Sequence, residues 1–170
     1  MRTLSYKNQD ILLKLYKTMV RPHLEYCVSV WSPYYEKDKI LLERVQHRFT
    51  RLIPGFKQLT YVERLRRLRL WTLEERRNRA DLLEVLRIFR GQSWISFTDL
   101  FTISTMTNTR GHSAKLTKHR CRLDLHQYFS ERVVDRWNSL PQDSIDAHSL
   151  NTFKNGLDRV QSLKMGFFMD

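Results

Sequence analysis

Apolar residues recur at intervals of three and four along most of this 170-residue chain, and the pattern is interrupted at Pro22, Pro54-Gly55, Gly91 and Pro141. The pattern predicts a helix over 5–20, an apolar segment over 22–31 that is either a buried helix or a buried strand, and a helix over 38–53. The side of the third segment that we expect to face the core holds Ile40, Leu41, Val45, Phe49, Leu52 and Ile53.

Two capping boxes mark the next helix starts. Thr60-x-x-Glu63 and Thr72-x-x-Glu75 each place a hydroxyl and a carboxylate where they satisfy each other's backbone donors, which predicts helices over 61–69 and 73–90. Gly91 is a suitable stop for the second. Residues 92–114 are rich in Ser, Thr and Asn and are expected to form a loop.

The remainder of the chain is predicted to contain both an extended segment and helices. Residues 120–126 show a period of two, typical of a short extended or β segment, and helical spacing returns over 128–140 and 149–162. We therefore expect a mainly α fold in three parts: a helical bundle at 1–54, two basic capped helices at 55–91, and a C-terminal part at 92–170 with a basic loop and two helices.

The charge balance points to a polyanionic partner. The chain has 30 Lys and Arg against 18 Asp and Glu, a net charge of +12, and the excess lies within residues 1–130. At 41% apolar content the chain is too hydrophobic for a disordered basic tail. Two cysteines and the absence of a long apolar run predict an intracellular protein, nuclear or cytoplasmic, that is neither secreted nor membrane-bound.

The first candidate nucleic-acid site is a basic strip with no acidic residue between Asp99 and Asp124. Cations on a loop and an extended segment suit phosphate contact, because each neutralised phosphate releases counterions. The alternative is an ordinary solvated surface. The candidate residues of the strip are Arg110, His112, Lys115, Lys118, Arg120 and Arg122.

The second candidate is the arginine-dense span within the two capped helices. Its candidate contact residues are Arg66, Arg67, Arg76 and Arg77, which must face outward if Leu65, Leu68 and Leu73 face inward. The neighbouring acids Glu63, Glu74 and Glu75 favour local ion pairing equally well.

Tryptophan, histidine and cysteine offer further candidates. Trp31 and Trp137 fall on apolar stripes and are expected in the core, whereas Trp94 in the loop is the better base-stacking candidate. The spacing of His112, His119, Cys121 and His126 matches no zinc-finger pattern, so no metal site or other cofactor is expected in this chain. The sequence indicates no small-molecule substrate.

Several strings, in order along residues 8–160, resemble the region after the polymerase palm in non-LTR (LINE-type, jockey-like) retrotransposon reverse transcriptases. In the first part of the chain they are Leu15-Tyr16-Lys17-Thr18-Met19-Val20-Arg21-Pro22-His23-Leu24-Glu25-Tyr26-Cys27, Trp31-Ser32-Pro33, Leu42-Glu43-Arg44-Val45-Gln46-His47-Arg48 and Tyr61-Val62-Glu63-Arg64-Leu65. In the second part they are Thr109-Arg110-Gly111-His112-Ser113 and Arg132-Val133-Val134-Asp135-Arg136-Trp137-Asn138-Ser139-Leu140-Pro141.

The resemblance implies a helical thumb followed by a C-terminal extension, with RNA or an RNA/DNA template–primer as partner. The parent RNA-directed DNA polymerase uses Mg²⁺ held by aspartates, including an Asp-Asp pair, but this chain contains no Asp-Asp pair. We therefore expect a fragment that lacks palm and fingers domains and is inactive alone. Two alternatives remain: a protein-interaction domain with an apolar patch near Phe167, Phe168 and Met169, or a decayed fragment without a selected function.

Overall fold

The computed structural model describes residues 8–105, 111–120, 128–164 and 166–169, and in these ranges the chain is mainly helical, which confirms the expected fold class. The first helices are α1 (Gln9–Leu15), α2 (Arg21–Glu25), α3 (Val28–Trp31), α4 (Glu36–Arg51), α5 (Tyr61–Leu68) and α6 (Leu73–Phe89). They are followed by α7 (Phe97–Leu100), α8 (Phe129–Arg132), α9 (Val134–Asn138), α10 (Gln142–Ile145) and α11 (Leu150–Leu163). Across the described ranges, no helix is both long and apolar enough to cross a membrane.

The chain forms two compact units, Met1–Arg76 and Arg77–Asp170. The expected division at residues 54 and 91 follows interruptions of the helical pattern in the sequence, whereas these two units follow the packing of the folded chain. Helix α6 begins in the first unit and continues into the second.

The core of the first unit joins α1, α4 and α5. Tyr16 stacks on Phe49 with their ring centroids 4.2 Å apart and their planes 11° from parallel. Around this pair pack the buried side chains of Leu12, Ile53, Phe56, Leu65, Leu68 and Leu70. Since aromatic and branched side chains in close contact exclude water, this cluster is the main apolar contribution to the stability of the unit.

The apolar segment after Pro22 is helical, which settles the choice between helix and strand. A π-helix over Tyr16–Val20 precedes α2, and Pro22 lies in the first turn of α2. Because proline has no N–H to give to the preceding turn, widened turns of this kind accommodate it without breaking the helix. Cys27, in the left-handed conformation at φ 52°, then separates α2 from α3 and leaves its thiol exposed.

Helix α4 lies close to the predicted 38–53, but its predicted inward face is wrong in part. Phe49 and Ile53 are buried, whereas four of the expected core residues are exposed: Ile40, Leu41, Val45 and Leu52. The helix instead buries Lys39, Gln46 and Thr50. Their polar atoms find partners inside the unit, as Lys39 does with Glu74 at 2.8 Å, so their burial leaves no unmet hydrogen-bonding group to oppose it.

Both capping boxes form, and the helices they start are confirmed as α5 and α6. Thr60 and Glu63 bond reciprocally at the start of α5, and Thr72 and Glu75 do so at the start of α6. Both helices end in a Schellman-type turn: the Leu70 N–H donates to the Leu65 carbonyl at 2.9 Å, and the Gln92 N–H donates to the Arg87 carbonyl at 2.8 Å.

Trp137 is the centre of the second unit. Its ring, which has no exposed surface, lies 6.1 Å from Phe89 and 6.3 Å from Phe153, and its indole N–H donates to the Ala114 carbonyl at 2.8 Å. An antiparallel bridge joins Ile103 to Leu116 nearby. The expected extended segment at 120–126 lies mostly outside the described residues, as do Cys121 and His126.

The closing helices differ from the prediction in number. The 128–140 stretch forms α8 and α9, short α10 follows Pro141, and α11 begins after Ser149, whose hydroxyl accepts from the Thr152 N–H at 3.1 Å. Phe168 is buried, and its carbonyl accepts from the Asn78 side chain at 2.7 Å. The residues near the C-terminus therefore contribute to the core of this unit.

Candidate nucleic-acid interface

The basic strip at 110–122 is only partly exposed. Arg110 and Arg122 lie outside the described residues, while Lys118 and Arg120 are exposed. Lys118 forms an ion pair with Asp135, and Lys115 is half-buried with its side chain close to Gly111. An exposed ion pair is worth little in water, so Lys118 can exchange its carboxylate for a phosphate at small cost.

His112 does not belong to this surface, and its expected exposure is wrong. Its ring is buried against Trp137 and donates from Nε2 to the Trp137 carbonyl at 2.9 Å. Because a carbonyl only accepts, the proton must be on Nε2. Burial lowers the pKa of His112, which favours the neutral form that packs in an apolar core.

The arginine-dense span separates into two groups. Arg66 and Arg67 are exposed in the last turn of α5. Arg76 instead holds Glu25 through two hydrogen bonds, one of them 2.9 Å from Nη2 to Oε2. Arg77 is buried, so its expected outward orientation is wrong. Only Arg66 and Arg67 of these four candidates are presented to a partner without first giving up a structural contact.

The neighbouring acid Glu63 is engaged mainly with the helix start. Hydrogen bonds from the Thr60 hydroxyl and the Thr60 N–H lower the pKa of Glu63, and the positive charges of Arg67 and Arg66 lower it further. Because the Glu63 carboxylate is already hydrogen-bonded as a helix cap, it attracts Arg66 and Arg67 only weakly.

Helix α4 presents a row of cations that the sequence interpretation did not select. We call Lys37, Arg44, Arg48 and Arg51 the basic row. All four residues are exposed, and within the described part of the chain none of them forms an ion pair. Their intervals of seven, four and three residues place them on one side of a helix. The seven-, four- and three-residue spacing is the sequence signal from which the row could have been predicted.

The tryptophans are distributed differently from the expectation. Trp94 is fully exposed and Trp137 is fully buried, as their positions indicated. Trp31 was expected in the core, but 39% of its surface is exposed. The helix that holds it, α3, is only one turn long and turns a single residue, Val28, into the core.

Behind the basic row lies a buried polar network centred on Gln46. The Tyr16 hydroxyl donates to Gln46 Oε1 at 2.7 Å, and Gln46 Nε2 donates to the Trp71 carbonyl at 2.9 Å and to the Tyr61 hydroxyl at 3.0 Å. Glu43 accepts from the Tyr61 hydroxyl and, at 2.9 Å, from the Leu73 N–H. Burial, with the charge of Glu43, raises the pKa of both tyrosines.

This network accounts for residues within the strings that resemble reverse transcriptases. Glu43 and Gln46 belong to the string at 42–48, Tyr61 to the string at 61–65, and Tyr16 to the string at 15–27. Each of them holds helices of the first unit together and has little surface left for a ligand. These positions are therefore structural in the isolated chain.

Arg64 and His47 form a second buried contact. Arg64 is 1% exposed and donates from Nη2 to His47 Nε2 at 3.2 Å, with its guanidinium 5.5 Å from the Tyr61 ring centroid. Since arginine has only donors, His47 Nε2 must hold a lone pair. Burial and the charges of Arg64 and Arg51 lower the pKa of His47, which favours that neutral form.

Two other kinds of site, a surface cleft and a metal centre, are less well supported by the described residues. A cleft of about 320 Å³ in the second unit is lined by Arg132, Asp135, Arg136, Ser139, Phe167 and Met169. Its Arg132 binds Asp81 with two hydrogen bonds of 2.9 and 3.1 Å, which commits that cation to the fold. Among the described residues, no three His, Cys, Asp or Glu side chains come together in a way that suits a metal ion.

Comparisons with protein-family models, curated proteins and solved structures find no match to this chain. They neither support nor oppose the resemblance to reverse transcriptases, which stays a prediction from the strings themselves.

Proposed function

We propose that this chain is the non-catalytic, C-terminal part of a non-LTR retrotransposon reverse transcriptase and that it binds RNA or an RNA/DNA template–primer through basic surfaces. The proposal combines the resemblance of the strings with the charge of the exposed surface. Phosphate contact and shape, rather than base-specific hydrogen bonds, would supply the affinity.

One observation carries the binding part of the proposal: the exposed cations of the first unit that have no acidic partner among the described residues. They include the basic row of α4 together with Arg66 and Arg67 of α5. Since these six cations bind no carboxylate that a phosphate must displace, their attraction for a polyanion is undiminished by local pairing.

The exposed apolar surface of the first unit supports a missing protein neighbour. Met19, Val30 and Val62 are each more than 60% exposed, and smaller apolar exposures such as Ile11 and Val20 accompany them. A protein partner that covers such side chains would leave them exposed when it is absent. The palm and fingers domains of the proposed parent polymerase are the partners that the resemblance supplies.

The residues present do not fit the two-metal chemistry of a polymerase. The sequence has no Asp-Asp pair, and carboxylates such as Glu25, Glu43 and Asp81 hold structural contacts. Purified protein should incorporate no labelled nucleotide on a primed RNA template with Mg²⁺ present.

Binding is tested by measuring the affinity for RNA over a series of salt concentrations. Log affinity should fall linearly with log salt, and the double substitution Arg66→Gln, Arg67→Gln should reduce the slope by about 1.4 to 1.8 if both residues contact phosphates. The matched control is Arg87→Gln, Arg159→Gln, which removes the same charge from exposed positions in the second unit. Equal effects of both pairs, or no RNA binding at low salt, would contradict the proposal.

The alternative of a protein-interaction domain at the C-terminal end lacks the observation that would favour it. Of the three residues expected in an apolar patch there, Phe168 has no exposed surface, Phe167 is half-buried and Met169 is 43% exposed. Phe168 therefore contributes to the core of the second unit and not to a surface patch.

A further inference from the structure

Four aromatic residues between α2 and α4 are exposed together. We call Tyr26, Trp31, Tyr34 and Tyr35 the aromatic cluster; their exposed fractions are 76%, 39%, 50% and 55%. Tyr34 and Tyr35 meet edge to face with centroids 5.5 Å apart, and the Trp31 indole N–H donates to the Tyr26 carbonyl. These contacts fix the Tyr34 and Tyr35 rings relative to each other and tie the Trp31 ring to the backbone at Tyr26.

The backbone holds the cluster in place from both sides. The left-handed residue Cys27 turns the chain between Tyr26 and α3, and Tyr35 is the N-cap residue of α4. The Tyr35 side chain makes no capping hydrogen bond, so its ring is not needed to start the helix. An exposed aromatic ring forgoes the free energy that burial would supply. Four such rings therefore suit a ligand whose flat faces can cover them.

The aromatic cluster adjoins the basic row. Lys37 Nζ lies 5.5 Å from the Tyr35 ring centroid, and the other three cations continue along α4. With a rise of 1.5 Å per residue, the row extends about 21 Å from Lys37 to Arg51. The acids of α4 lie off the line of the row: Glu43 turns inward to the Leu73 N–H, and Glu36 and Asp38 lie about 100° to either side of Lys37 around the helix.

We propose that the aromatic cluster and the basic row bind single-stranded RNA or DNA, with bases stacked on the tyrosines and phosphates along α4. The inference rests on the proposed nucleic-acid binding and names the form that this surface takes. A single strand supplies a flat base and a negative charge in every unit. In a duplex the faces of the bases are already stacked on their neighbours, so a duplex offers the cluster nothing.

A second copy of the chain is a poorer occupant of this surface. It would bring the same four cations of the basic row against one another, and like charges facing each other oppose association. An acidic protein would pair with the cations but would not require exposed aromatic rings. A competitor that carries negative charge without bases tests whether the partner is an acidic protein.

The first experiment compares three ligands at one salt concentration by fluorescence anisotropy: a strand of about 20 nucleotides, an abasic strand of the same length, and a duplex. Stacking contributes roughly 1–3 kcal/mol per base, so the abasic strand should bind at least about 10-fold more weakly. Polyglutamate should compete poorly with the strand that contains bases.

The second experiment tests the rings themselves. Tyr34→Ala, Tyr35→Ala should weaken single-strand binding about 10-fold with an unchanged salt slope and no change in duplex binding. Tyr34→Phe, Tyr35→Phe keeps the flat faces and should retain the affinity. Tyr128→Ala removes an equally exposed tyrosine from the second unit and should have no effect.

The outcomes separate this inference from the proposed function. Equal affinity for the abasic strand and the strand with bases, equal loss in the phenylalanine variant, or effective competition by polyglutamate would overturn the stacking surface while RNA binding stood. Failure to bind any nucleic acid at low salt would overturn both.

Discussion

Gln46 is the centre of a buried hydrogen-bond network in the first unit. Its side chain is fully buried, and the atoms it bonds come from the π-helix, α5 and the turn before α6. A glutamine has one acceptor and two donors, and here all of them find partners. Such a network specifies one arrangement of helices, because any other would leave buried polar groups unpaired.

Replacing Gln46 by leucine should therefore destabilise the protein severely. Leucine has similar volume, but it leaves the Trp71 carbonyl and the Tyr16 hydroxyl without the partner they have now. We expect a loss of about 2–4 kcal/mol in the free energy of unfolding, measured by urea denaturation. Gln9→Leu, at an exposed position of α1, is the control and should change stability by less than about 0.5 kcal/mol. Similar losses for both would show that the network is unimportant.

His47 should make stability depend on pH. Its pKa is lowered in the folded protein from the ordinary 6.5, so the unfolded chain binds the proton more readily. The contribution is complete above about pH 6.5 and is lost as pH falls through the folded pKa, because burial and then the charges of Arg64 and Arg51 oppose protonation of His47. The unfolding free energy of His47→Gln should decline less between about pH 7 and 5 than that of the parent.

The control for the histidine experiment is His148→Gln, which changes an exposed residue. It should follow the parent's pH profile. Burial lowers the pKa of His112 in the same direction, so the His47 variant should keep part of the acid sensitivity. A His47→Gln profile identical to the parent's would refute the role of the Arg64 contact.

At the scale of single elements, α5 ends in a residue that is unsuited to its conformation. Arg69 has φ 50° and precedes the N–H of Leu70 that closes the turn on Leu65. Glycine is the residue usually found there, because a Cβ atom in the left-handed region is strained. Arg69→Gly should raise the free energy of unfolding by about 0.5–1 kcal/mol.

The matched control is Arg66→Gly, inside the same helix, where glycine should cost about 1 kcal/mol. The two substitutions are chemically identical and should have opposite signs in thermal unfolding. Destabilisation by Arg69→Gly as well would mean that the arginine side chain makes a contact that outweighs the strain.

The elements that could be predicted are those whose signals are local. Each capping box spans only four consecutive residues, and the boxes at Thr60 and Thr72 predict where α5 and α6 begin. Ser149 likewise predicts the start of α11. The inward face of α4 could not be predicted, because its buried polar side chains have partners far away in the sequence. Lys39 bonds to Glu74, 35 residues later, and Gln46 accepts from Tyr16, 30 residues earlier. Periodicity places apolar residues inside by default and has no access to distant polar partners.

The candidate site shows the same limit. The exposure of Arg66 and Arg67 follows from the amphipathic pattern of α5 alone. The burial of His112 depends on Trp137, 25 residues away, and nothing in the local run of cations indicates it. The aromatic cluster was missed because Trp31 and its neighbours read as an apolar core segment, whereas a single turn of helix buries only Val28.

For the whole molecule, charge and apolar surface have opposing effects on solubility. A net charge of +12 makes copies of the chain repel one another. The first unit also exposes Met19, Tyr26 and Val30 at 63%, 76% and 84%, and these side chains favour association. At low salt the repulsion should dominate, and the protein should stay monomeric.

Raising the salt concentration should reverse that balance. The screening length falls from about 10 Å at 0.1 M to about 3 Å at 1 M, while apolar attraction is not weakened by salt. Light scattering of protein freed of nucleic acid should therefore increase with salt. Met19→Ser, Val30→Ser should suppress the increase without lowering the unfolding temperature, since both side chains are exposed. Leu163→Ser, at an equally exposed position in the second unit, should leave it in place. If all variants scatter alike, the association arises elsewhere, and the exposed apolar surface of the first unit is not a site for a missing neighbour.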